Sequence, residues 1–86
     1  MPDYEVKWTE TTAWFLEKMV RVDAERILEK MKLVSKNPFH YIKRLRGAPL
    51  YSFRTGKYRV IMSIERNKLV ILVVGVGSRK NVYDDL

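Results

Sequence analysis

Apolar and charged positions alternate over residues 4–8, Tyr4-Glu5-Val6-Lys7-Trp8, the period-two rhythm of a half-buried strand. The period then lengthens. Thr9, Thr11 or Thr12 can cap a helix whose Phe15, Leu16 and Met19 form one face, and Asp23 suits the cap of a second helix. That second helix places Ile27, Met31 and Val34, with Leu28, on one stripe at spacings of three and four. It stops at Lys36-Asn37-Pro38, because proline lacks a backbone donor and disfavours helix in the residue before it. After a basic loop over residues 39–49 the period returns to two. The strand Leu50-Tyr51-Ser52-Phe53-Arg54, a Thr55-Gly56 turn, a strand over 57–65, a tight Arg66-Asn67 turn and a strand over 68–76 follow in order.

With Arg66 and Asn67 as the two turn residues, Glu65 faces Lys68, an opposite-charge cross-strand pair. This register puts Val60, Met62 and Ile64 on one side with Leu69, Ile71 and Val73. Arg59, Ile61, Ser63 and Glu65 lie on the other with Val70, Leu72 and Val74. Arg59 is thereby turned away from the core, and a shift of one residue would exchange the faces. The order β-α-α-β-β-β predicts an α+β fold: an N-terminal strand, then a helical hairpin packed on one face of a largely antiparallel four-stranded sheet, the other face left open.

Eighty-six residues suffice for one domain with one core, so residues 1–86 are read as a single unit. The absence of cysteine excludes a disulfide scaffold and a thiolate metal site, and fits a reducing compartment. The first residues have neither the basic n-region nor the apolar h-region of a signal peptide. The longest apolar run, residues 69–76 broken by Gly75, is too short to span a bilayer. The expectation is a soluble cytoplasmic protein with no membrane association. His40, the one histidine, lies in the loop after Pro38 without companion ligands, so neither a metal nor another cofactor is expected.

The net charge of +7 is unevenly spread. Residues 1–29 hold seven acids against four bases. No acid lies between Glu29 and Glu65, where Lys30, Lys32, Lys36, Lys43, Arg44, Arg46, Arg54, Lys57 and Arg59 supply nine cations. A polyanion is the expected partner of such a segment, since each neutralised phosphate releases counterions. A solvated basic surface is the plainer alternative. Arg59 on one arm of the last hairpin, with Arg79 and Tyr83 just past the other, would put two fixed cations and a phenol at one end of the sheet. Such a set can bind and strain a phosphodiester; the alternative is ordinary surface cations and an aromatic covering a sheet edge. Trp8, Trp14, Phe53 and the methionines read as core, whereas Tyr41, Tyr51 and Tyr58 could stack on bases.

Three pieces in order then carry a resemblance: Lys43-Arg44-Leu45-Arg46-Gly47; Leu50-Tyr51-Ser52-Phe53-Arg54-Thr55-Gly56-Lys57-Tyr58-Arg59-Val60-Ile61; and Val74-Gly75-Val76-Gly77-Ser78-Arg79-Lys80-Asn81-Val82-Tyr83. With the two amphipathic helices ending at Asn37-Pro38, the chain resembles, over nearly its whole length, the RelE family within the RelE/ParE toxin superfamily. The resemblance implies a toxin of a type II toxin-antitoxin pair that enters the ribosomal A site and cuts mRNA. It also implies a RelB-like, partly acidic antitoxin that wraps the toxin. By position Arg59 matches the family's strand arginine, Arg79 its post-strand arginine, Tyr83 its terminal tyrosine and Arg54 a basic residue of the preceding strand. Ser52 departs from the pattern, standing where relatives often carry another base, and the chain ends three residues after Tyr83.

For attack of a 2′-oxygen on its own phosphodiester, Arg59 and Arg79 would clamp the charge that grows on the phosphorane. Arg54 and Lys57 would support it, and Lys43, Arg44 and Arg46 would hold RNA. Tyr83 would accept or orient the 2′-proton, a poor base near its ordinary pKa of about 10 unless adjacent cations favour the phenolate. Two other function classes stay open: a ParE-like toxin that binds a topoisomerase without nuclease chemistry, and a non-catalytic basic RNA-binding domain.

Overall fold

A computed structural model describes residues 3–78, and the order within them is β1 (Glu5–Trp8), α1 (Glu10–Lys18), α2 (Arg21–Lys36), α3 (Pro38–Tyr41), β2 (Lys43–Arg44), β3 (Tyr51–Thr55), β4 (Tyr58–Glu65) and β5 (Val70–Ser78). The architecture is α+β, as the alternation of periods predicts. Thr9 caps α1: its Oγ1 accepts from the Thr12 backbone N–H at 3.2 Å. The buried Thr12 hydroxyl in turn donates towards the Val73 carbonyl at 3.3 Å, tying the start of α1 to β5. Asp23 does not cap α2. The helix begins three residues earlier than that cap would set, with Val20 at the cap position and no side-chain cap bond, which leaves Asp23 as an acid in the first turn, favourably placed against the helix dipole.

The sheet holds five strands in the order β1-β5-β4-β3-β2. Three pairings are antiparallel, and β1 lies parallel to β5, with Val6 beside Ile71 and Trp8 beside Val73. The fifth strand and the one-turn helix α3 both fall in the stretch expected as loop. Lys43 and Arg44 pair with Ser52 and Tyr51, a two-residue ladder too short to show an alternation in sequence. The hairpin turn between β3 and β4 falls at Gly56-Lys57, one residue later than expected. Thr55 pairs with Tyr58, and Gly56 takes the positive φ of 59° that a two-residue turn demands.

Between β4 and β5 the turn has four residues, 66–69, with Leu69 at φ 55°. Glu65 therefore pairs with Val70, and the expected Glu65–Lys68 pairing is not formed. Because the slip is two residues, side-chain alternation is preserved and the faces hold. Ile64 lies opposite Ile71 and Met62 opposite Val73, and both pairs face the helices. Beyond them the register shifts at Ile61/Met62. Ile61 pairs with Gly75 and Arg59 with Gly77, leaving Val74 as the extra residue of a bulge.

The core is the layer between α2 and the sheet. Ile27, Met31 and Val34 meet Phe53, Val60, Met62, Ile71 and Val73, with Ile42 closing one end. Burial at this level is worth about 1.5–3 kcal/mol per large apolar side chain. Two side chains expected inside lie outside: Leu28 is 42% exposed and Trp14 57%. Among the described residues, no helix is long and apolar enough to cross a membrane.

Candidate functional site

Directly paired residues of an antiparallel ladder share a face, so the register places two rows on the side of the sheet opposite the helices. Lys43, Ser52, Ile61 and Gly75 form one row; Arg54, Arg59 and Gly77 form the next. Arg59 thus points away from the helices, as the alternation predicts. Its β5 neighbours in both rows are glycines, which add no side chain beside the guanidinium. The bulge at Val74 lies just before this end of β5 and increases the local twist there.

The face is not open at its centre. Ile61 is fully buried and Ser52 is 3% exposed, although neither belongs to the core on the helix side. The expectation of a bare sheet face is corrected accordingly: Ile61 and Ser52 are covered, and beside them lies a concavity of about 330 Å³. Among the described residues it is lined by Tyr41, Lys43, Ser52, Phe53, Arg54 and Arg59. Three of these are cations and none is an acid. Arg54 and Arg59 sit directly opposite each other across β3 and β4. Like charges at that spacing destabilise a sheet unless an anion lies between or beside them. The Arg59 guanidinium Nη1 donates to Ser52 Oγ at 3.2 Å.

Of the residues expected to hold RNA, the structure brings Lys43 and Arg54 together with Arg59 and separates the rest. Arg44 and Arg46 line a different, shallower recess with Leu45, Gly47, Ala48 and Pro49. Lys57 lies in the β3–β4 turn with its ammonium 5.6 Å from the Tyr58 ring centre. Arg79 and Tyr83 lie outside the described residues. Strand β5 carries the chain to Ser78, one residue past the Arg59–Gly77 pair and the residue before Arg79.

Three side chains lining the concavity are not among the expected site residues: Phe53, which also belongs to the core as expected, Tyr41 and Ser52. Tyr41 was noted only as a ring that could stack on bases. It follows the helix-breaking Asn37-Pro38 in α3, a turn too short to read from period. Ser52 registers in sequence only as a missing charge. Its hydrogen bond to a residue seven positions away depends on the hairpin register, which no local pattern displays. Tyr51 and Tyr58, like Tyr41, pack against the core, and the Tyr51 ring meets Phe39 edge-on at 5.5 Å.

A second concavity, about 510 Å³, opens between β1 and α2 beside Tyr4, Val6, Trp8, Leu28 and Met31. Asp3, Glu25 and Glu29 also line it, against the single cation Lys32. A phosphodiester would be repelled there. The described residues hold no cluster of three or more His, Cys, Asp or Glu side chains placed to bind a metal.

Comparison with known proteins defines the class. Residues 6–83 match the family described as the ParE toxin of the type II toxin-antitoxin system parDE, and the chain belongs to that family of the RelE/ParE superfamily. Its solved relatives carry the RelE name. The toxin-antitoxin complex RelBE2 from Mycobacterium tuberculosis is 27% identical, with TM-score 0.82 over 92% of this chain and 94% of that one. The archaeal RelE–RelB complex from Pyrococcus horikoshii is 26% identical, with TM-score 0.79 over 91% and 97%. The isolated RelE toxin of E. coli is 25% identical, with TM-score 0.75 over 95% and 93%. No curated protein sequence matches significantly. The chain is a toxin of a type II toxin-antitoxin system with a RelE-like fold.

Proposed function

We propose that this toxin is a ribosome-dependent endoribonuclease that stops translation by cutting mRNA in the cytoplasm. The observation that carries the reading is the Arg54–Arg59 pair, opposed across two strands in a concavity that also holds Lys43. Three cations on rigid strands form a preorganised anion site, and a transferring phosphodiester gains negative charge that such a site stabilises. Arg59 is assigned as a transition-state clamp, with Arg54 and Lys43 holding the flanking backbone. Arg79 is assigned as the second clamp and Tyr83 as acceptor or orienter of the 2′-proton, on their match to the RelE pattern. The concavity supplies charge but, among its described lining residues, no carboxylate or imidazole to take a proton. Cleavage therefore depends on Tyr83 or on the ribosome, and free RNA should be cut poorly. The unit of function is taken to be residues 1–86 acting without a cofactor. The partner is a cognate RelB-like antitoxin whose partly acidic segment neutralises the basic face; the similar structures from M. tuberculosis and P. horikoshii are toxin–antitoxin complexes.

The test is translation in vitro with mapping of mRNA ends. The parent chain should cut ribosome-bound mRNA, and Arg59→Ala, Arg79→Ala and Tyr83→Phe should each slow the chemical step about 10²- to 10³-fold. If all three cut like the parent, the site assignment fails. A second reading follows from the ParE description of the matching family: a toxin that binds a topoisomerase and does no nuclease chemistry. Intact mRNA on translating ribosomes, together with blocked DNA supercoiling, would establish that reading and remove the first.

A further inference from the structure

We propose that Ser52 is a positioning residue that sets the Arg59 guanidinium for the bound phosphodiester; the inference rests on the endoribonuclease reading for its consequence, but not for its geometry. Ser52 is the second residue of β3 at 3% exposure, a position where a β-branched or aromatic side chain would ordinarily pack better. A buried hydroxyl needs a partner, and here it is the Arg59 Nη1 at 3.2 Å. The bond runs diagonally. Ser52 is registered opposite Ile61, so the Arg59 side chain leans along the sheet by one row to reach it.

Ser52 differs in charge from the base that relatives often carry here. Ser52 is registered between Lys43 and Ile61 and next to the Arg54–Arg59 row, so a cation in its place would add a like charge to a site that already has three. The hydroxyl adds none. It holds Nη1 at one end of a planar fork whose side chain otherwise carries about 2 kcal/mol of rotamer entropy. In accepting from Nη1 the hydroxyl engages one of the five N–H donors of the guanidinium. Preorganisation of this kind lowers the barrier without tightening ground-state binding.

Two measurements on the full chain decide it. In single-turnover cleavage on mRNA-programmed ribosomes, Ser52→Ala should slow the cut about tenfold, the scale of one hydrogen bond to a charged group, with the half-saturating ribosome concentration unchanged. Ser52→Thr should recover most of the rate. In an Arg59→Ala background Ser52→Ala should add nothing, because its effect passes through the guanidinium. Losses that multiply, or a Ser52→Ala chain that cuts at the parental rate while Arg59→Ala is impaired, overturn the proposal and leave the endoribonuclease reading standing. The second measurement needs no cleavage. The 15N guanidinium resonances of Arg59, assigned by their disappearance in Arg59→Lys, should report faster rotation in Ser52→Ala than in the parent, and a return towards the parental rate in Ser52→Thr. Equal rotation in parent and Ser52→Ala overturns the proposal whatever the ribosomes do. If the parent itself leaves mRNA intact, the endoribonuclease reading falls, and the resonances alone decide for or against Ser52.

Discussion

The two faces of the sheet are built from the same strands and obey opposite rules. Towards the helices, Val60, Met62, Ile71 and Val73 are fully buried against Ile27, Met31 and Val34, and each neighbour supports the next. On the far side, one or two residues along, Arg54 opposes Arg59, Lys43 flanks Ser52, and two glycines stand where packing residues would stabilise β5. A strand's period of two lets a small domain keep stability and charge apart at almost no distance. The lesson is that the locally unfavourable face is the informative one. An apolar alternation says that a core exists, whereas like charges directly opposed come at a cost to the sheet that packing does not explain.

Breaking the apolar face should produce the largest change in stability. Ile71→Ala removes a fully buried side chain from the first part of β5 and should destabilise the domain by about 2–5 kcal/mol in urea titrations, with cleavage per folded molecule unchanged. A loss below about 0.5 kcal/mol, the range of ordinary surface changes, would mean that this face is not the scaffold. The charged face should respond in the reverse sense. Arg54→Glu turns a like-charged cross-strand pair into an opposite-charged one and should stabilise the fold by about 0.2–1 kcal/mol. Binding to a single-stranded RNA should meanwhile weaken, and its log–log salt slope should fall by roughly 0.7 for each phosphate that is no longer neutralised. A variant both more stable and less able to bind RNA would separate the faces in one experiment. Unchanged RNA affinity would detach Arg54 from the site.

How much of this was legible in the sequence depends on whether the determinant is local. The faces of β4 and β5 were, because alternation is a property of each strand and survives a two-residue slip of register. Their turn was not. Pairing Glu65 with Lys68 rests on charge alone, worth a few tenths of a kcal/mol, and the four-residue turn with Leu69 in the left-handed region outweighs it. The side of the sheet on which Arg59 lies was legible because it follows from the same alternation. The grouping of Arg59 with Lys43 was not, since β2 is two residues long and its pairing to Ser52 is set by the hairpin as a whole. Ser52 was read as a lost charge because charge can be counted along a chain, whereas a hydrogen bond across two strands cannot.

The smallest effect concerns two neighbouring residues of α2. Ile27 and Leu28 belong to one expected stripe, yet Ile27 is fully buried and Leu28 is 42% exposed beside the groove between α2 and β1. Successive helical residues are about 100° apart around the axis. A stripe centred on Ile27, Met31 and Val34 therefore carries Leu28 to its margin, where it shields the groove without filling the core. Leu28→Ala should accordingly change the urea midpoint by no more than the equivalent of about 0.5 kcal/mol. Ile27→Ala at the adjacent position should cost several times as much, in the range of about 2–5 kcal/mol. Equal costs at the two positions would mean that α2 is rotated towards Leu28. The apolar layer would then extend over β1, and the division of the sheet into one packed and one charged face would have to be redrawn at that edge.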